Sequence, residues 1–257
     1  MGVFKVDIKD FVAVLTLHSP PANALSSTIL KELSTVLDEL EQSNDVRVLV
    51  IHGEGRFFSA GADIKEFTTV PDGEAFEQLS SYGQELFERM ENFPKPIIAA
   101  IHGAALGGGL ELAMGCHIRI VTENAKLGLP ELQLGLIPGF AGTQRLTRFV
   151  GAAKAAELLL TSDPISGIEA VTLGLANRAV EEDRLLEETL KLANKIAKKS
   201  PVSVKSTIKL LNYAKTEKFY EGVKLEAKLF GEAFTSEDGK EGITAFIEKR
   251  QPEFKGR

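Results

Sequence analysis

The sequence predicts an α/β fold that ends in helices. Short β-branched runs alternate with longer stretches of helical periodicity through the first half of the chain, the pattern of parallel βαβ units. From Gly151 onward the periodicity is almost wholly helical. No internal repeat and no low-complexity linker interrupts the 257 residues, and 44% hydrophobic with 26% charged residues suffices to bury one sizeable core. The division this implies is a core over residues 1–195 and a helical C-terminal region over 196–257, the tail starting somewhere between Lys191 and Ser203.

The strands are expected at Val12 to Leu17, Val46 to Ile51, Ile97 to Ile101 and Ile118 to Val121, where β-branched residues fit a pleated surface. Helices are expected at roughly Ser26 to Gln42, Phe76 to Asn92 and Leu110 to Met114. Ser26 or Ser27 supplies a hydroxyl to cap the first of these, helix-compatible residues begin again near Asp63, and Pro164 to Ser166 precede another start at Gly167-Ile168-Glu169-Ala170. The stretch from Phe67 through Tyr82 reads as a loop that shapes a pocket, with Pro71, Gly73, Phe76 and Leu79. In the tail, Leu225, Leu229, Phe230, Phe234, Ile243, Phe246 and Ile247 are more apolar surface than one subunit buries alone, so they are expected between protomers.

Composition narrows the function. A net charge of −6 argues against general nucleic-acid binding, and the Lys-rich tail reads as a solvated helix face. The single cysteine, Cys116, excludes an internal disulfide and reads as a small core residue. No run is apolar and long enough to span a bilayer and the N-terminus has no apolar signal core, so a cytoplasmic protein without membrane attachment is expected. His18, His52, His102 and His117 lack metal-ligand spacing, so no metal is expected. Ser59 lies outside G-x-S-x-G, and Gly53 to Phe58 fails the dinucleotide fingerprint.

Two carboxylates carry the chemistry. Glu111 follows Leu106-Gly107-Gly108-Gly109-Leu110, and Glu131 follows Leu127-Gly128-Leu129-Pro130, each presented by a glycine-shaped turn in an apolar stretch. Two acids close together in an apolar pocket cannot both ionise cheaply, so the pair holds one donor and one base near neutral pH. Three glycines ahead of a helix let a backbone amide such as that of Gly108 approach a ligand, and the amide of Ala62 stands at a second strand-to-helix transition. Such amides stabilise an oxyanion. Taken singly, Pro130-Glu131 is also a plain helix start and Glu111 a solvated helix residue; their order together with the Ala62 segment favours catalysis.

Three segments resemble the signature blocks of the crotonase (enoyl-CoA hydratase/isomerase) family: Phe58-Ser59-Ala60-Gly61-Ala62-Asp63-Ile64-Lys65-Glu66, Pro96 through Ala113, and Leu136-Ile137-Pro138-Gly139-Phe140-Ala141-Gly142-Thr143-Gln144-Arg145-Leu146. The resemblance runs from Asn23-Ala24-Leu25 to Phe246-Ile247-Glu248-Lys249-Arg250. It implies a spiral of stacked ββα turns in two near-perpendicular sheets, with a C-terminal helical trimerisation region. It puts the oxyanion amides on Ala62 and Gly108, the two hydratase glutamates on Glu111 and Glu131, and Gly139 beside the catalytic water. It also implies that Ala60, Asp63, Ile64 and Lys65 run along the thioester and pantetheine, and that Phe246 and Lys249 reach the CoA nucleotide of an adjacent subunit. His117 stands where many members carry Asp, and Phe140 where a small residue is frequent.

The activity so implied is syn hydration of a trans-2-enoyl-CoA to the 3-hydroxyacyl-CoA, as in fatty acid beta-oxidation, with Glu111 as base toward water and Glu131 as proton donor to the α-carbon. No tightly bound cofactor is expected, CoA being part of the substrate. The expected partners are acyl-CoA and further copies of the chain, as a trimer or dimer of trimers. An enoyl-CoA isomerase, a branched-chain acyl-CoA hydratase, and a non-catalytic acyl-CoA- or RNA-binding protein are the alternatives.

Overall fold

Six strands form the larger sheet: β1 (Phe4–Lys9), β2 (Val12–Leu17), β3 (Val48–Gly53), β4 (Ile97–Ile101), β6 (Ile118–Thr122) and β9 (Arg178–Val180), adjacent in that order. A smaller sheet joins β5 (Ala104–Leu106), β7 (Lys126–Gly128) and β8 (Ile165–Ser166). The computed structural model describes residues 2–68, 70–215 and 219–257, without the side chains at 219, 220, 222–224, 227, 233 and 246. The α/β class and the two-sheet spiral follow the expectation.

Strands β2, β3, β4, β6 and β9 pair in parallel, as the alternation with helices predicts. Two departures are antiparallel: β1 on β2, and β8 on β7. β1 escapes notice because Phe4, Val6 and Ile8 merely alternate with charged residues at a half-exposed edge. After Gly151 the chain is almost wholly helical, as expected, and β8 and β9 are its short exceptions; at two and three residues they are too short to show a period.

The central strands read as continuous apolar runs because both faces are buried. Ala13, Leu15, Leu49, Ile51, Ala99 and Ile101 join the core that includes α1 (Ser27–Gln42), α3 (Gly73–Glu91) and α4 (Gly108–Gly115), whereas Val12, Val48, Val50, Ile98, Ala100 and Ile120 pack with Leu185, Ala193 and Ala197 of α8 (Leu185–Ala197). Leu30, Leu33, Leu37 and Leu40 give α1 its buried stripe, each worth roughly 1.5–3 kcal/mol when removed from water. The Ser26 hydroxyl caps α1 through the Ile29 N–H.

Between these lie the single-turn α2 (Ile64–Phe67), then α5 (Gly142–Val150), α6 (Ala152–Thr161) and α7 (Gly167–Thr172), the last started by a capping box of Ser166 and Glu169. α3 starts at Gly73, three residues before the expected Phe76, because the Asp72 carboxylate accepts from the Ala75 N–H at 2.9 Å. Much of the stretch expected as a loop is therefore helix.

The C-terminal helices are α9 (Pro201–Lys215), α10 (Phe219–Thr235) and α11 (Glu237–Glu248), and the expected division at 195/196 falls in the last turn of α8. The final residues fold back: buried Asp238 accepts from Ser200 Oγ at 2.9 Å and from the Lys255 N–H at 2.6 Å, and Arg47 donates to the Phe254 carbonyl at 2.6 Å. Among the described residues no helix is long and apolar enough to cross a membrane.

Candidate active site

The segment from Phe58 to Asp63 is stitched on both sides. On one side the Ala60 N–H donates to Ala22, the Leu25 N–H to Gly61 and the Asp63 N–H to Leu25; on the other, Ser59 N–H donates to Ala104 and the Leu106 N–H to Ser59. Buried Ser59 donates its hydroxyl to the Asn23 carbonyl at 2.8 Å, and the Asn23 amide holds the carbonyls of Glu54 and Phe57. These bonds bring the end of one strand-turn-helix unit against the start of α4. A Cβ placed on Gly108 would lie 3.4 Å from the Ala62 nitrogen, so the two residues are close neighbours. Among the described residues neither donates a hydrogen bond, and Gly108 opens a helix whose dipole favours negative charge there.

Glu111 sits in the first turn of α4 at 1% exposure. Its Oε1 accepts from the N–H groups of Phe140 at 2.8 Å and Gly142 at 2.7 Å. Glu131 begins a 3₁₀ turn (Glu131–Leu134), half-buried, with Oε2 enclosed and without a hydrogen-bond partner among the described residues. Gly107 makes room for it: at φ 51 it takes a conformation that favours glycine, and a Cβ there would lie 3.0 Å from Glu131 Oε1. Burial pushes the Glu111 carboxyl up to about 7, helped by the charge of Glu131 and opposed by its two backbone donors and Arg145. Burial also raises Glu131. Burial thus disfavours the ionised form of both carboxyls, and the charge of Glu131 adds to the rise at Glu111.

Both carboxyls face a cavity of about 160 Å³. Ala60, Ala62, Ile64, Gly108 and Gly139 line it with them, which unites seven of the eleven residues that the sequence singles out. Asp63 and Lys65 do not line it: Asp63 instead caps α2, its side chain accepting from the Lys65 N–H. Lys249 follows α11 and does not line it either, and the side chain of Phe246 lies outside the described residues. Phe67, Phe76, Leu79, Leu134, Leu136 and Ile137 give the cavity its apolar walls, Phe67 and Phe76 meeting edge to face at 4.9 Å. Of the expected pocket stretch, Pro71 and Gly73 stay off the cavity.

A second layer escapes the sequence reading. Ser80 and Gln84, one turn apart on α3, both donate to the Gly139 carbonyl. Buried Arg145 donates to the Phe140 carbonyl at 2.6 Å and pairs with Glu91, which also takes Arg148. Nothing in the local pattern marks these side chains, since their partners are backbone groups or residues more than fifty positions away. His117 accepts the Ile97 N–H on Nδ1, and burial drives it down to about 4, a neutral ring that registers β6 on β4. Cys116 is buried, its thiol raised to about 12, as expected of a core residue.

A family model described as enoyl-CoA hydratase/isomerase matches residues 7–257. The chain is 61% identical over 257 residues to a probable enoyl-CoA hydratase of Bacillus subtilis (strain 168), covering 100% of both proteins. It is 44% identical over 252 residues to a short-chain-enoyl-CoA hydratase of Clostridium acetobutylicum, covering 96% of this chain and 95% of that one. The crystal structure of an enoyl-CoA hydratase from Bacillus anthracis superposes with a TM-score of 0.94 at 36% identity, covering 100% of each chain.

Proposed function

Since the chain belongs to the enoyl-CoA hydratase/isomerase family, we propose that it hydrates trans-2-enoyl-CoA thioesters to 3-hydroxyacyl-CoA, and catalyses the reverse dehydration, with Glu111 and Glu131 as the proton-transfer pair. The observation that carries this reading is that two raised carboxyls, and two amides that donate no hydrogen bond among the described residues, line one apolar cavity.

The thioester oxygen takes the Ala62 and Gly108 N–H groups, which stabilise the enolate-like charge that develops as the β-carbon is attacked. Glu111 orients and deprotonates the water beside Gly139; its two backbone donors favour the anion that a base has to be. Glu131 delivers a proton to the α-carbon, and its buried Oε2, without a partner among the described residues, favours the protonated form. With both groups on one side of the bound thioester on this reading, water and proton add to the same face, which is syn addition.

Ile64 and Ala60 lie along the thioester and pantetheine on this reading, with Asp63 and Lys65 beyond the cavity mouth and Phe246 and Lys249 serving the nucleotide from an adjacent copy. Self-association as a trimer or dimer of trimers is supported by the exposure of Phe230, Phe234 and Ile247. The lone buried Cys116 fits a cytoplasmic enzyme. The test is loss of enoyl absorbance with crotonyl-, hexenoyl- and decenoyl-CoA, with a 3-enoyl-CoA in parallel. Hydration of the 2-enoyl substrates is expected; conversion of the 3-enoyl-CoA alone would make the enzyme an isomerase instead.

A further inference from the structure

The peptide that joins Gly139 to Phe140 is held at both ends. Its N–H, that of Phe140, donates to Glu111 Oε1 at 2.8 Å. Its carbonyl, that of Gly139, accepts from Ser80 Oγ and from Gln84 Nε2, the latter at 2.9 Å, so both lone pairs of the oxygen are used. Gln84 also donates to Ser80 Oγ at 3.3 Å, which ties the two donors together. The bond is trans and planar, so its C=O and N–H point in opposite directions, and fixing one fixes the other. No helix or sheet ladder supplies this restraint, because Gly139 and Phe140 lie between the 3₁₀ turn and α5, outside any helix or strand.

Ser80, Gly83 and Gln84 fall at i, i+3 and i+4 of α3 and so share one face. A Cβ built on Gly83 would lie 2.3 Å from Phe140 Cδ1, so glycine there lets the helix come close enough to the loop for its two neighbours to reach the carbonyl. Ser80 stands in the wall of the cavity, whereas Gln84 is exposed and does not line it. Two donors on one carbonyl polarise the amide and strengthen its N–H as a donor to an anion. We propose that Ser80 and Gln84 are positioning residues for the general base, acting through this one peptide to aim Glu111 and to hold it as the carboxylate. This rests on the reading of Glu111 as the base of an enoyl-CoA hydratase.

Two measurements on Ser80→Ala, Gln84→Met and the double variant separate the two ideas. The pH profile of crotonyl-CoA hydration reads the reaction; titration of the Glu111 carboxyl by infrared difference spectroscopy, its band identified by loss in Glu111→Gln, reads the restraint. Glu131 and Arg145, the latter paired with Glu91 of α3, are the charged groups that act on Glu111, and the variants leave all three in place. The double variant is expected to lower kcat at least about 10-fold with KM little changed. It should also move the acidic limb of kcat/KM and the carboxyl titration together to higher pH, by about 0.5 pH unit or more, because the anion loses a well-aimed donor. Ser80→Thr, which restores the hydroxyl, is expected to recover most of the shift seen in Ser80→Ala. If the Ser80 variants do not fold, Gln84→Met, at an exposed position, carries the same direction of shift. A folded double variant whose carboxyl titration stays with the parent's overturns the inference, whatever its rate. A titration that moves in a protein that hydrates no enoyl-CoA would leave it standing and remove the reaction instead.

Discussion

The guanidinium of Arg145 and the carbonyl of Phe140 stand 2.6 Å apart, both buried, and the N–H of that same residue 140 donates to Glu111 at 2.8 Å. One residue thus grips Glu111 through its N–H and is itself gripped through its carbonyl. Between them Ala141 holds a left-handed φ of 66°, a conformation costing a non-glycine residue on the order of 1 kcal/mol, so the turn needs an anchor.

Arg145 is accordingly a positioning residue. Its charge also lowers Glu111, so Arg145→Met should raise the apparent pKa of the base. The expected result is a kcat reduced at least about 10-fold with KM little changed, and an acidic limb of the kcat/KM profile moved to higher pH. Arg145→Lys should recover part of the limb shift, because it restores the charge without the fixed fork. An unmoved pH profile in Arg145→Met would leave Arg145 a packing residue only.

Glu111→Gln and Glu131→Gln should each lower turnover by a factor of at least about 10², with binding of a saturated acyl-CoA nearly intact, since each removes one partner of a proton cycle. Steady-state kinetics beside equilibrium binding check this. Both variants remaining within a few-fold of the parent would reject the assignment.

The raised Glu111 carboxyl also ties stability to pH. With its folded value pushed up to about 7 from 4.5, the folded chain binds more protons than the unfolded chain across that interval, so this group's contribution to stability falls as pH rises through it. At about 1.4 kcal/mol for each pH unit, the loss is on the order of 3 kcal/mol by pH 8. Glu111→Gln should therefore melt several degrees higher than the parent at pH 8, with the difference vanishing near pH 4. Thermal scans at the two pH values decide it; a Gln variant no more stable at pH 8 counts against a strained, buried carboxylate.

Gly108 offers a clean separation of backbone from bulk. It opens α4, where proline is tolerated, so Gly108→Pro removes the amide donor while Gly108→Ala keeps it; both add a carbon against the Phe140 ring. The proline variant should be slower than the alanine variant by roughly 10² to 10³, the effect of losing one oxyanion donor. Equal rates in two folded variants would mean that the amide does not meet the developing charge.

Phe230 and Phe234, 76% and 61% exposed, lie one helical turn apart on α10. Charging this face with Phe230→Glu and Phe234→Glu should reduce the mass measured by light scattering toward that of the 27.9 kDa chain. An unchanged mass would assign the assembly to another surface.

The sequence by itself determined the strand-helix alternation, the apolar runs of the doubly covered sheet, a serine cap at Ser26 or Ser27 and the identity of both acids. These are local facts: period, propensity and the glycine turns are written in neighbouring residues. The alternation also missed β1, whose half-exposed edge obeys the same period more weakly. Tertiary structure alone decided that Glu111 and Glu131 face one cavity, that Ala62 and Gly108 lie beside each other in its wall, and that Asp63 turns to cap α2. It alone paired Arg145 with Glu91 and set Phe140 on Gly83, because contacts between residues fifty or more positions apart depend on how the sheet and helices pack, and no local period encodes that packing.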